Sequence, residues 1–139
     1  MNLNITFEDI VSDPTLMESS LIALSETWLQ PGMQFDINGF VSHFNSMGQG
    51  KGLAFYYKHN TFRPTVDIKE ENIQITKMET TELEVITVYR SDKGNVSDLL
   101  DYLKTLIKPG VATVVRGDFN ICCQANKNNK VTKYLVKVG

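Results

Sequence analysis

Hydrophobic positions fall in short blocks along the chain, and their spacing predicts strands alternating with helices. Residues 6–19 read as a helix with Phe7, Ile10, Val11 and Leu16 on its inner side, interrupted at Pro14. Residues 21–24 are wholly apolar and too few for a helix, so they predict a buried strand running into Ser25-Glu26. After the Pro31-Gly32 turn, residues 35–44 read as an extended segment broken at Asn38-Gly39, a hairpin or bulge signal. The glycine-rich residues 48–52 predict a flexible connection, and residues 53–58 an aromatic-rich strand. Residues 66–77 and 83–90 predict two strands joined through residues 78–82. The second carries Val85-Ile86-Thr87-Val88-Tyr89, a β-branched run expected to be buried on both faces.

The clearest helix follows. Val96, Leu99, Leu100, Leu103, Leu106 and Ile107 keep helical spacing, Asn95 caps the start, and Pro109-Gly110 stops the end. Lys104 and Lys108 sit near its negative pole. Residues 111–115 then predict another buried strand, leading into Arg116-Gly117-Asp118-Phe119-Asn120. Residues 131–138 are compatible with helix or strand. There are no internal repeats. Buried strands, an amphipathic helix and short connections predict an α/β sandwich.

Composition changes this picture little. A length of 139 residues fits one domain, spanning 1–139, and 42% apolar with 22% charged residues is globular composition. No apolar run is long enough for a membrane helix, and the first ten residues lack the basic and apolar regions of a secretory signal. The adjacent Cys122-Cys123 cannot form a disulfide framework, so a reducing location, cytoplasm or nucleus, is expected. Asn4-Ile5-Thr6 and Asn95-Val96-Ser97 then read as chance matches to a glycosylation pattern. Charge is uneven. The first 50 residues hold six acids and no Lys or Arg, whereas residues 119–139 hold four lysines and no acid. Such an acidic front does not bind a phosphate backbone by bulk attraction.

Candidate chemistry lies where two predicted strands end in acids, at Glu26 and Asp118. Carboxylates just past buried strands have a rigid support and an open front, where α/β sheets place ligand sites. Asp118 and Asn120 are two apart, so in strand geometry they share a face while Phe119 points to the other. An acid and an amide so placed can orient a water, and Glu26 alongside would offer a hard oxygen ligand for Mg²⁺. A turn or cap role for each acid explains the same residues without a site.

The strings themselves go further. Ile22-Ala23-Leu24-Ser25-Glu26-Thr27-Trp28-Leu29, the block from Gly50 to Lys58, the strand ending in Tyr89-Arg90, and Val114 through Asn120 resemble, in this order, four blocks of the endonuclease/exonuclease/phosphatase superfamily. The resemblance implies part of a DNase I-like α/β sandwich with mixed sheets flanked by helices. The Glu-Thr-Trp-Leu wording leans toward endonucleases of LINE-type mobile elements. It implies a Mg²⁺- or Mn²⁺-dependent phosphodiester hydrolase with DNA as partner. Glu26 matches the metal-binding glutamate, and Tyr89 a tyrosine near the scissile phosphate. Asp118 matches the aspartate that orients and deprotonates the attacking water, and Asn120 the asparagine beside it.

Two family features have no counterpart in this sequence: a first strand ending in asparagine, and final strands with an acid–histidine pair. His43 and His59 precede the Asp118 block and read as surface residues. Arg116 stands where a small or apolar residue is usual. The domain is therefore expected to be incomplete and, alone, inactive or nearly so, because one lost oxyanion donor costs roughly 10²–10³ in rate. Its sheets are expected to expose an edge that self-associates or recruits a partner chain. The alternatives are a non-catalytic remnant that binds nucleic acid or protein, a small-molecule or lipid phosphatase of the same family, and a gene-model fragment. Trp28 and Tyr57 read as core residues rather than base-stacking platforms.

Overall fold

The computed structural model describes residues 7–27, 32, 35–48 and 51–119. Within them, two sheets pack face to face with helices outside, an α/β sandwich. The first sheet has the order β1-β3-β2, with β1 at Leu21–Ser25, β2 at Val41–Gly48 and β3 at Lys51–Tyr57, all antiparallel. The second has the order β4-β5-β6-β7, with β4 at Arg63–Lys69, β5 at Ile73–Glu79, β6 at Glu84–Arg90 and β7 at Thr113–Asp118. Its first three strands are antiparallel, and β7 runs parallel to β6 after a crossover through α3, Val96–Leu106.

The N-terminal helical stretch is two short helices, α1 at Phe7–Val11 and α2 at Pro14–Glu18. Asp13 causes the break. Its carboxylate accepts from the Thr15 and Leu16 amides at 2.9 and 3.3 Å, and Pro14 follows as first helical residue. Ile10, Leu16 and Met17 pack on the outer face of the first sheet, against Ile22, Ala54 and Tyr56. Leu99, Leu100, Leu103 and Leu106 of α3 cover the outer face of the second sheet, over Ile73, Ile75, Ile86 and Val88. Leu53, Phe55, Met78 and Tyr89 fill the space between the sheets. All seven residues of β6 are buried, because the other sheet covers one face and α3 the other.

Three expectations need correction. Gly48, Lys51 and Gly52, expected as part of a flexible connection, belong to strands: β2 runs to Gly48 and β3 starts at Lys51, paired with it. Residues 49 and 50 lie outside the described residues. The long strand expected over residues 66–77 is two strands, turned at Glu70-Glu71-Asn72, where the Glu70 amide donates to the Ile73 carbonyl at 2.9 Å. The strand expected at residues 111–115 begins at Thr113 and is only alternately covered, with Val114 exposed, because β7 is an edge strand among the described residues. His43 remains partly exposed at the surface, as expected, and in addition has a partner. Its Nε2 lies 2.7 Å from Asp67 Oδ2, joining β2 of one sheet to β4 of the other.

Candidate active site

The site forms at one end of the sandwich, where β1, β6 and β7 finish. Glu26 directly follows β1 and adopts φ +52, the left-handed region that a non-glycine residue rarely occupies. Asp118 ends β7, in register with Tyr89 of β6. Gly117 makes this pairing possible. At φ +141 its Cα lies so close to β6 that a Cβ would sit 1.9 Å from the Val88 carbonyl oxygen. Arg116, one step earlier, reaches across to the other sheet, its Nη1 3.5 Å from the Ala23 carbonyl oxygen. The ends of β1 and β7 thereby face each other.

As a result, Glu26 and Asp118 hydrogen-bond through their carboxyl groups, although 91 intervening residues separate them and they belong to different sheets. Burial raises the Glu26 pKa above its ordinary value, and the Asp118 charge and hydrogen bond raise it further. Tyr89 is buried beside them. Burial, then the charges of Glu26, Asp118 and Asp92, push its phenol up, so it stays a neutral O–H donor at physiological pH. Asn120 lies outside the described residues, as do Trp28 and Cys122-Cys123.

Two contributors were not foreseen. Asp92, in the turn after β6, adds negative charge near Tyr89. Arg90 is buried, and its Nε donates to the Phe119 carbonyl at 2.8 Å while its Nη1 donates to the Gly94 carbonyl. It thereby pins the end of β7, and Asp118 with it, to the turn that starts α3. The signal available was a buried-strand arginine next to Tyr89. Gly94 leaves room for this clamp, since a Cβ there would meet Arg90 Cγ at 2.6 Å. The histidines are elsewhere. His43 is at the opposite edge, on β2, and His59 lines a groove of about 480 Å³ with Tyr57, Phe62 and Arg63 at the far end of the strands.

Two carboxyls pressed together on a hard-oxygen site suit Mg²⁺, which takes one or two carboxylates and keeps several waters. Among the described residues no group of three or more His, Cys, Asp or Glu side chains gathers for a metal.

This architecture is part of a DNase I-like α/β sandwich. Among solved structures, the chain is similar to the human Nocturnin catalytic domain with bound sulfate, with a TM-score of 0.54 at 16% identity. The match covers 93% of this chain and 58% of that one, so the chain spans little more than half of that domain. At this identity the likeness shows the fold alone. No protein-family model matches the chain, and no curated protein matches it. Among the described residues no helix is long and apolar enough to cross a membrane.

Proposed function

We propose that the chain is a divalent-metal-dependent phosphodiester hydrolase of the endonuclease/exonuclease/phosphatase type, acting on DNA in the manner of mobile-element endonucleases. The hydrogen-bonded Glu26–Asp118 pair, built from two sheets beside a buried neutral tyrosine, carries this reading. Glu26 would hold Mg²⁺ or Mn²⁺ through its carboxylate oxygens. When bound, the ion supplies charge neutralisation for the phosphodiester anion. Asp118 takes the proton of the attacking water and orients it. The Tyr89 hydroxyl donates to a phosphate oxygen, and Asn120, which lies outside the described residues, takes by the resemblance the role of steadying the aspartate and the phosphate. Arg90 acts through the β7 backbone and is a positioning residue.

No histidine stands at this end of the described sandwich, so the 139-residue chain alone should hydrolyse weakly or not at all. The test combines plasmid nicking with Mg²⁺-dependent thermal stabilisation. Mg²⁺ should raise the melting temperature of the wild type and not of Glu26→Gln. Nicking should be at most slow, and absent in Glu26→Gln and Asp118→Asn. Absence of any Mg²⁺ effect on the wild type overturns the metal reading. Rapid nicking overturns the expected weakness. DNA binding without turnover supports the remnant reading, and hydrolysis of small phosphate esters alone supports the phosphatase reading.

A further inference from the structure

The space between the sheets is not uniformly apolar. Strand alternation turns Gln74, Thr76 and Met78 of β5, and Val85, Thr87 and Tyr89 of β6, toward the first sheet. The register lines them into transverse rows. One runs Lys69, Gln74, Tyr89, Asp118, and the next Asp67, Thr76, Thr87, Arg116. From the facing sheet, Asn45 reaches this second row. Its Nδ2 donates to the Ile68 and Ile75 carbonyls at 3.1 and 3.3 Å and lies 3.2 Å from Thr76 Oγ1. With its nitrogen held by two carbonyls, the Asn45 amide cannot be turned over, and Oδ1 must point away from them. Gln74 is fixed in the same way, its Nε2 donating to the Glu70 carbonyl.

Three side-chain oxygens are then left: Asn45 Oδ1, Gln74 Oε1 and Thr87 Oγ1. Each belongs to a residue at most 1% exposed, and none has a hydrogen-bond partner. All three residues adjoin Thr76. Asn45 bonds to it, Thr87 is its cross-strand partner, and Gln74 is two residues before it on the same face. Orphaned buried acceptors are rare and destabilising, and three around one side chain call for a common partner.

We propose that Asn45, Gln74 and Thr87 bind an internal water between the sheets, bridging the row of Gln74, Tyr89 and Asp118 to the next row at Thr87. A water has the two hydrogens that the two amide oxygens need, and its own oxygen accepts from the Thr87 hydroxyl. That completes three hydrogen bonds, the usual number for a buried water. The water joins Asn45 of one sheet to Gln74 and Thr87 of the other. It thus fills the floor under the acidic pair, independently of what that pair catalyses.

The test is a high-resolution crystal structure of the chain, together with urea unfolding of Thr87→Val. The expected result is an ordered water within about 3.2 Å of at least two of the three oxygens. Thr87→Val should lower the folded-to-unfolded ratio by roughly 3–10-fold, because it removes a partner from a satisfied network. A dry space between these residues overturns the proposal. So does a Thr87→Val protein as stable as the wild type or more so, since an apolar isostere at an unsatisfied hydroxyl relieves the protein. If that variant fails to fold, the wild-type crystal decides alone.

Discussion

At the scale of single residues, Glu26 combines two unfavourable features. It holds a left-handed backbone and it presses its carboxyl against that of Asp118. Strain and like charge concentrated at one residue are what a ligand site stores and a structural residue avoids. The pH dependence follows from the raised pKa. Between the ordinary glutamate value and the folded value, the native state holds a proton that the unfolded state has lost. Stability therefore falls as pH rises through that window. Without divalent cations, Glu26→Gln should melt about 2–5 °C higher than the wild type at pH 7. The gap should close near pH 4, as followed by calorimetry. Strand-end acids at positions 26 and 118 were legible as isolated features in the sequence. Their meeting was not legible from spacing, because it depends on how two sheets dock, and only the resemblance suggested it. The Asp92 charge and the Arg90 clamp escaped for the same reason, since each acts across a turn that local pattern does not reveal.

Among the elements, α3 was the most legible. Its Asn95 cap accepts from the Asp98 amide at 3.1 Å, and its buried leucines are four of those that the helical spacing marked. Leu103 is fully buried against β5 and β6, so Leu103→Ala should cost about 2–5 kcal/mol. Urea titration should show a lower midpoint with little change in slope. The missed hairpin between β4 and β5 has a plain cause. Glu70-Glu71-Asn72 contains neither glycine nor proline, and its turn is held by backbone bonds, including one from the Ser91 amide to the Asn72 carbonyl at 2.9 Å. The long hydrophobic run hid a second surprise. Lys77 is buried on the α3 side, 3.0 Å from Glu84 and 3.5 Å from Glu79, with Nζ donating to the Leu106 carbonyl at 3.2 Å. It neutralises two acids that face each other across the hairpin and satisfies the negative end of the helix. Burial alone would raise the Glu79 carboxyl. The hydrogen bond with Glu84 and the Lys77 charge outweigh it and hold that carboxyl below its ordinary range.

For the whole molecule, the sheets are tied at both edges. Opposite the candidate site, Asp67 links to His43 and accepts from the Thr76 hydroxyl at 2.6 Å. Partial burial would raise the Asp67 pKa, but these bonds and the charges of His43 and Lys69 hold it below the usual carboxylate range. A lowered folded pKa gives stability that is present above the unfolded value and lost as pH falls through the folded one. Asp67→Asn should therefore flatten the acid side of the stability profile, with a loss of roughly 1 kcal/mol or less at neutral pH because the pair is partly solvated. At the other edge, β7 carries exposed Val114 and, among the described residues, pairs only with β6. We propose that this edge drives self-association or docking of another chain. Sedimentation should show oligomers that Val114→Lys weakens; a monomer at all concentrations would refute it. The sandwich class was readable from the alternation of blocks, whereas the edge status of β7 was not, because neighbours in a sheet are not neighbours in sequence.

Because the two carboxyls arrive from separate layers, their distance is a ruler for how the layers sit on one another. Mild heat or dilute denaturant that lets one layer slide by an ångström would spread the pair while every strand and helix stayed intact. Any cation affinity would then vanish well before circular dichroism registered a change.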